Sequence, residues 1–365
     1  MRFGLLYEHQ LPRPWTAESE HRLFKDALAQ VELADQLGID HIWEVEHHFL
    51  EEYAHSSAPE VFLAACAART TRIRIGHGVV LAPPGYNHPA RVAERIATLD
   101  LIADGRVDWG TGESASRVEL EGFGIDPEQK KAMWAEAVEQ TANMMAMSPY
   151  PGFQGKYFSM PVRNVVPKPL QKPHPPIHIS IGSPDSSSAR LAASRGWGII
   201  SGPNAPTYSV ASHWKAYAET CAKAGRAARG ENWRISRNVI VAPTEAEAHD
   251  RVFGANTANR YFFTYLRTAV AKANRLSTIK PRPDMSDEEF TPDVAMAECA
   301  IYGSPKTVLD RLVAFRDRVG PFGTLLKMGV DWGGASEAWE REAMRLLAHE
   351  VMPKFRQHVM AQAAE

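Results

Sequence analysis

Leu37-Gly38-Ile39-Asp40-His41-Ile42-Trp43-Glu44-Val45-Glu46-His47-His48-Phe49 decides how the chain is read. Gly38 suits a helix end, and 39–45 has the apolar character of a short buried strand. An acidic and imidazole cluster follows where that strand must stop. A buried strand ending in Glu-His-His carries chemistry at its tip.

Outward from this stretch, strands and helices alternate in both directions. Strands are expected at 2–7, 39–45, 73–81, 106–110, 177–181, 198–201, 235–242 and 324–328, each followed by a helical pattern. The first helix, 17–37, places Phe24, Leu28, Val31 and Ala34 at helical spacing. Pro59, Pro89 and Pro305 stand at first helical positions. The proline-rich run 148–176 is read as a surface excursion. Eight strands alternating with helices, without a break in composition, predict one α/β domain over 1–365, a closed (β/α)8 (TIM) barrel rather than a doubly wound sheet. About 250–300, after strand seven, does not fit the repeat. Its aromatic run from Arg260-Tyr261-Phe262-Phe263 to Phe290 is a candidate lid.

Composition narrows the partners. Of 365 residues 41 are basic and 43 acidic, a formal net charge of -2, which gives no bulk pull toward nucleic acid or anionic membrane. Small-molecule substrates are expected. Cys66, Cys221 and Cys299 lack disulfide or zinc spacing, and the apolar run 3–7 is too short for a signal sequence, so a reducing cytoplasm is expected. No stretch is apolar and long enough to span a bilayer.

In a barrel of this kind the active site lies at the C-terminal strand ends. The polar residues there are Glu8 and His9, then Glu44, Glu46 and His47, then His77, Glu113 and Ser183. Two chemistries use such a set. A metal-dependent hydrolase ranks second, because Tyr7-Glu8-His9-Gln10 lacks a His-x-His pair and the adjacent His47 and His48 point apart on an extended chain. An organic cofactor ranks first. In Gly182-Ser183-Pro184-Asp185-Ser186-Ser187-Ser188 a strand ends at Gly182, Ser183 reads as an N-cap and Pro184 as the first helical residue. Free amides with the Ser183 and Ser186 hydroxyls then form an anion site. No G-x-G-x-x-G opens a helix after a strand, so a built-in nicotinamide site is not evident.

Met1-Arg2-Phe3-Gly4, Gly38 to Trp43 followed by Glu46-His47-His48-Phe49, Ile75-Gly76, Asn87-His88-Pro89-Ala90, Leu99-Asp100 and Gly105-Arg106 resemble the bacterial luciferase-like flavin-dependent monooxygenases. Gly303-Ser304-Pro305-Lys306-Thr307-Val308 and Glu350-Val351-Met352-Pro353 extend the resemblance to nearly the whole chain. It implies a homodimeric (β/α)8 barrel that takes reduced FMN from a separate flavin reductase. With O2 as co-substrate, the barrel would oxygenate a small organic molecule through a C4a-(hydro)peroxyflavin. It places the catalytic histidine on His47 and phosphate-binding hydroxyls on Ser183 and Ser186; from the residues themselves, Glu46 or Glu44 close by is expected to set the His47 protonation. A cis peptide found in strand three of many relatives would fall at Gly78-Val79, where glycine eases the strain.

One departure bears on the cofactor. Where luciferase-type members carry an Arg for the flavin phosphate, this chain has Gly112-Glu113-Ser114-Ala115-Ser116. A carboxylate cannot neutralise a phosphate, so Arg190 or Arg117 becomes the candidate anchor, and Glu113 is free to face the substrate. A deazaflavin oxidoreductase on the same barrel is the nearest alternative. A flavin-storage barrel is a further one.

Overall fold

The computed structural model describes residues 1–329 and 336–364. Eight parallel strands, β1 (Arg2–Tyr7), β2 (His41–Glu44), β3 (Arg74–His77), β4 (Val107–Gly112), β5 (Ile177–Ile181), β6 (Gly198–Ser201), β7 (Trp233–Val241) and β8 (Thr324–Met328), pair in chain order. The ring closes where β8 pairs with both β7 and β1, Lys327 lying opposite Arg237 and Leu5. Around it lie α1 (Ser19–Leu37), α2 (Pro59–Arg69), α3 (Pro89–Ile102), α4 (Arg117–Gly122), α5 (Lys130–Ala146), α6 (Ser187–Arg195) and α7 (Thr207–Lys223). After β7 come α8 (Glu245–Phe253), α9 (Ala258–Lys272), α10 (Pro292–Cys299) and α11 (Pro305–Val319), and after β8 come α12 (Glu337–Leu346) and α13 (Met352–Ala364). This is the expected (β/α)8 barrel.

Strand alternation divides the apolar residues in two. Phe3, Leu5, Tyr7, Ile42, Ile75, Val107 and Trp109 face outward and pack with Val31, Leu63, Val92 and Ile96 of the helices. Leu6, Trp43, Ile200, Leu326 and Met328 face inward. The same inner cluster contains Phe262, Phe263, Leu276, Phe290 and Met296. The segment after β7 therefore packs its apolar side chains onto the barrel interior.

Trp43 fills the middle of the barrel and is fully buried. It fits because the facing positions are glycines: a Cβ on Gly76 would lie 2.2 Å from the indole, and one on Gly110 would lie 3.1 Å from it and 2.0 Å from the His77 carbonyl oxygen. Toward the N-terminal strand ends a polar layer closes the barrel. Asp108 accepts from Arg74 Nε at 2.6 Å and Arg234 at 3.1 Å, and lies 3.2 Å from His178 Nε2. Burial alone would raise the Asp108 pKa, but Arg234 and its neighbours hold it well below the carboxylate range.

Three elements depart from expectation. The segment after β7, which does not fit the repeat, opens with two helices, α8 ending at Gly254 and α9 starting from the Thr257 cap. A short strand, Ala300–Gly303, pairs with the outer half of β7 beyond the point where β6 has ended. Four residues after a helix carry too little alternation to announce it. The excursion at 148–176 contains a small hairpin, Phe153–Gln154 against Ser159–Met160. Among the described residues no helix is long and apolar enough to cross a membrane.

Gly76→Ala is expected to lower the urea-unfolding free energy by about 3 kcal/mol, because the new methyl overlaps a fully buried indole that has nowhere to move. An effect under about 0.5 kcal/mol would show that Trp43 does not fill this space tightly.

Candidate active site

Beyond β2 the chain stays tied to the barrel, Val45 N donating to the Tyr7 carbonyl and His47 N to the Ser56 carbonyl. This holds His47 at the C-terminal strand ends, its side chain 26% exposed. Its Nδ1 lies 2.7 Å from Glu119 Oε1. Since a carboxylate accepts, Nδ1 carries the hydrogen and Nε2 is the ring atom left for proton exchange.

Glu119 sits at the third position of α4, whose cap is Ser116. Its carboxylate is fully enclosed and also accepts from His48 N at 3.0 Å and Ser114 Oγ at 2.5 Å. Burial would raise its pKa, but the His47 hydrogen bond, the His47 charge and the remaining donors outweigh burial and lower it. For His47, burial disfavours the charged ring, yet Glu119, with the fields of Glu8 and Glu46, raises its pKa. Sequence reasoning missed Glu119. Its local signal, Ser116-x-x-Glu119, marks a helix start and says nothing of a histidine 72 residues away.

The two carboxylates expected to govern His47 are employed elsewhere. Glu46 accepts from Leu81 N at 2.8 Å, Asn87 Nδ2 at 3.0 Å and His48 at 3.1 Å, tying the loop after β2 to the loop after β3. Glu44 follows Trp43 on β2 and so faces outward, 3.1 Å from His9 Nε2 behind the strands. Burial raises the Glu44 pKa well above normal and lowers that of His9 to about 3, so enclosure disfavours charge on both. His77 likewise faces the helices.

Glu8 returns to the interior. Gln10 Nε2 donates to it at 2.9 Å and the Tyr53 hydroxyl at 3.4 Å. Tyr53 meets His47 edge-on at 5.7 Å and stacks on Phe262 and Tyr265 of α9 at 5.5 and 6.1 Å.

Around β5 the helix cap lies one turn later than read. Asp185 takes a left-handed φ of 49° and donates its N–H to Ser212 Oγ, so the cap of α6 is Ser186, which accepts from Ser188 N at 3.1 Å. Ser183 therefore lies in the preceding turn. Its carbonyl accepts from His213 Nε2 at 3.0 Å, while His213 Nδ1 accepts from Ser201 Oγ at 2.9 Å and Ser201 Oγ from Trp233 Nε1 at 2.9 Å. Burial lowers the His213 pKa to about 4, so one neutral tautomer satisfies the whole chain of bonds and fixes the turn. A Cβ on Gly182 or on Gly202, at the tips of β5 and β6, would meet nothing within 4 Å. Both tips border open space.

The proposed arginine anchors are engaged: Arg190 pairs with Asp185, and exposed Arg117 with Glu121 at 2.6 Å. Lysines stand there instead. Lys131 bonds Ser187 Oγ on the first turn of α6, and Lys130 donates to the Ser114 carbonyl at 2.5 Å with Glu113 4.0 Å away. The Gly78–Val79 peptide is not cis, since among the described residues cis bonds occur only before proline. Gly78 N donates to the Glu44 carbonyl at 2.6 Å and the chain bends at Gly78, which interrupts the strand read at 73–81 before Val80 and Leu81 pair with β4.

Residues 1–320 match the model of the luciferase-like monooxygenase family. The chain belongs to that family. Limonene 1,2-monooxygenase of Rhodococcus erythropolis is 29% identical over 364 aligned residues, covering 94% of this chain and 84% of that one. The oxygenase component of flavin-dependent trigonelline monooxygenase from Acinetobacter baylyi is 27% identical, with coverage of 97% and 96%. A solved structure, the oxygenating constituent of 3,6-diketocamphane monooxygenase from Pseudomonas putida in complex with FMN, superposes with a TM-score of 0.84 over 97% of this chain and 98% of that chain. At 23% identity it shows a shared fold. The luciferase-like protein is thus an oxidoreductase of the monooxygenase class.

The His47–Glu119 pair gives this monooxygenase a defined pH signature. The raised pKa of His47 contributes stability below its unfolded value of 6.5 and loses it as pH rises through the folded value. The lowered pKa of Glu119 contributes above 4.5 and loses it as pH falls through the folded value. Glu119→Gln is expected to destabilise by about 2 kcal/mol while both groups are charged and by less once pH rises past the raised His47 value, measured by urea unfolding across pH. A loss independent of pH would contradict an ionic pair.

Proposed function

We propose that this monooxygenase binds reduced FMN supplied by a separate flavin reductase and uses O2 to oxygenate a small organic substrate at the barrel mouth. The observation that carries the reading is His47, fixed through Nδ1 on buried Glu119 with Nε2 free, at the same strand ends as the α6 N-terminus and its lysine. The flavin-dependent oxygenase-component relative and the FMN-bound fold neighbour support it.

The residues suit such a cofactor. The α6 amides, the Ser183 and Ser186 hydroxyls and Lys131 would hold the phosphate, Lys131 supplying the positive charge that the Gly112-Glu113 departure removes. Gly182 and Gly202 leave space beside it, and Gly78, Val79 and Glu113 border the mouth. Reduced flavin, when bound, supplies the electrons that activate oxygen. The chain does the rest. Glu119 keeps the hydrogen on His47 Nδ1, so Nε2 takes up and returns the proton. Glu46 ties down the loops on either side of His47. The segment after β7 acts as the lid, its Phe262, Phe263 and Phe290 keeping water from the mouth. Homodimerisation and a cytoplasmic setting complete the reading. Limonene among the relatives' substrates and the Tyr53, Phe262 and Tyr265 wall favour an apolar substrate.

Anaerobic titration with reduced FMN tests the proposal: saturable one-to-one binding is expected, and no binding alongside tight binding of a reduced deazaflavin would overturn it. Lys131→Ala should weaken FMN about tenfold while leaving riboflavin unchanged, read by fluorescence quenching. Equal loss for both would remove Lys131 from the phosphate. His47→Ala should keep reduced-flavin binding but lower substrate oxygenation by about two to four orders of magnitude. Unchanged turnover would exclude His47 from proton transfer.

A further inference from the structure

Glu8 is a carboxylate that the reaction scheme above leaves unused. It leaves β1 on the interior side, two residues after Leu6, and is only 3% exposed. Among the described residues its hydrogen-bond partners are both neutral: Gln10 at Oε2 and the Tyr53 hydroxyl at Oε1. A buried carboxylate without a hydrogen-bonded cation is costly to ionise. Burial pushes its pKa up to about 7, while the charge of His47 and the two hydrogen bonds pull the other way.

The charged and titratable groups around this pair come from four elements. Glu119 reaches His47 from α4, and Glu46 acts from the loop of His47 itself. Tyr53, on the same loop, touches both Glu8 and His47, and Tyr265 of α9 stacks behind Tyr53. Tyr86, after β3, feels Glu119 and Glu46. His48 lies on Glu46. With Glu119 ionised and bonded to His47, and Glu46 held by Leu81, Asn87 and His48, Glu8 is a further carboxylate whose protonation changes the net charge facing the imidazole.

We propose that Glu8 and His47 share one proton at neutral pH, which makes Glu8 a positioning residue that sets the charge on His47. Two arrangements of the cluster carry the same net charge: protonated Glu8 with a neutral imidazole, or ionised Glu8 with an imidazolium. The proton leaves the Glu8 carboxyl and appears on His47 Nε2, with Glu119 ionised throughout, so charge balances without another reactant. Exchange between these states lets His47 be recharged inside an enclosed site without an excess charge being created there. The inference rests on reading His47 as the proton-handling group of the proposed oxygenase, and Tyr53, held by α9, places Glu8 against the lid segment.

The test uses the flavin-free full chain, so it is independent of cofactor binding and oxygenation. The His47 ring is followed by NMR across pH in wild type, Glu8→Gln and Glu8→Asp, with Glu119→Gln, which removes the carboxylate bonded to Nδ1, as a control. Wild type should titrate in two coupled steps. Glu8→Gln should give one step with its midpoint about one pH unit lower, a tenfold smaller protonated fraction at a fixed pH above the midpoint. Glu8→Asp should restore the two steps. The infrared difference between wild type and Glu8→Gln, in which the raised Glu44 carboxyl cancels, should show a protonated carboxyl band that disappears near neutral pH. A single-step His47 curve identical in wild type and Glu8→Gln would overturn the proposal, and so would the absence of that band above about pH 6.

Discussion

The indole of Trp43 occupies the middle of the barrel, and the molecule is organised around the room made for it. Gly76 and Gly110 give up their side chains at that level, so β3 and β4 close against the ring. Below it, Asp108 gathers Arg74, Arg234 and His178, with the Arg234 guanidinium 5.4 Å from the indole centre. Above it, Leu6 and Met328 meet the aromatic side chains of the segment after β7. The tip of β2 therefore leaves a rigid floor, and His47 inherits its position from Trp43.

Above that floor the site is assembled from loops whose charges would repel if left unpaired. Glu8, Glu46 and Glu119 surround two histidines, and each carboxylate has found its own donors. The division of labour is electrostatic. Glu119, fully buried, fixes one ring nitrogen, and Glu46 splices two loops. On the other side of the mouth the positive charge is carried by lysines of α5 instead of an arginine after β4. Helix α5 packs beside α3, and its Lys131 reaches Ser187 on the first turn of α6, so a cation lies at that helix start.

The barrel was legible because its signal is repeated: eight short apolar runs, each followed by a helical period, with Gly38 ending α1 at a left-handed φ of 79° as its sequence position implies. His47 was legible from the abrupt polarity at the end of a buried strand. Glu44 was misplaced although alternation from Trp43 already turns it outward. Glu119 was hidden because its partner is distant in sequence, and α4 is too short to show a period. Ser183 reads as the cap of the helix after β5, but the cap is Ser186, because Asp185 enters the left-handed region, a choice made by Ser212 on another helix. Lys131 carried no signal, since lysines on a helix are ordinary surface residues.

The most direct measurement is rapid mixing of the anaerobic complex of protein and reduced FMN with oxygenated buffer, recording the flavin spectrum and the hydrogen peroxide released. If the barrel is an FMN-dependent oxygenase, the bound flavin passes through a protein-dependent phase that free flavin lacks, and peroxide appears later than in buffer. Reoxidation at the rate and with the spectrum of free flavin, peroxide following at once, would contradict it.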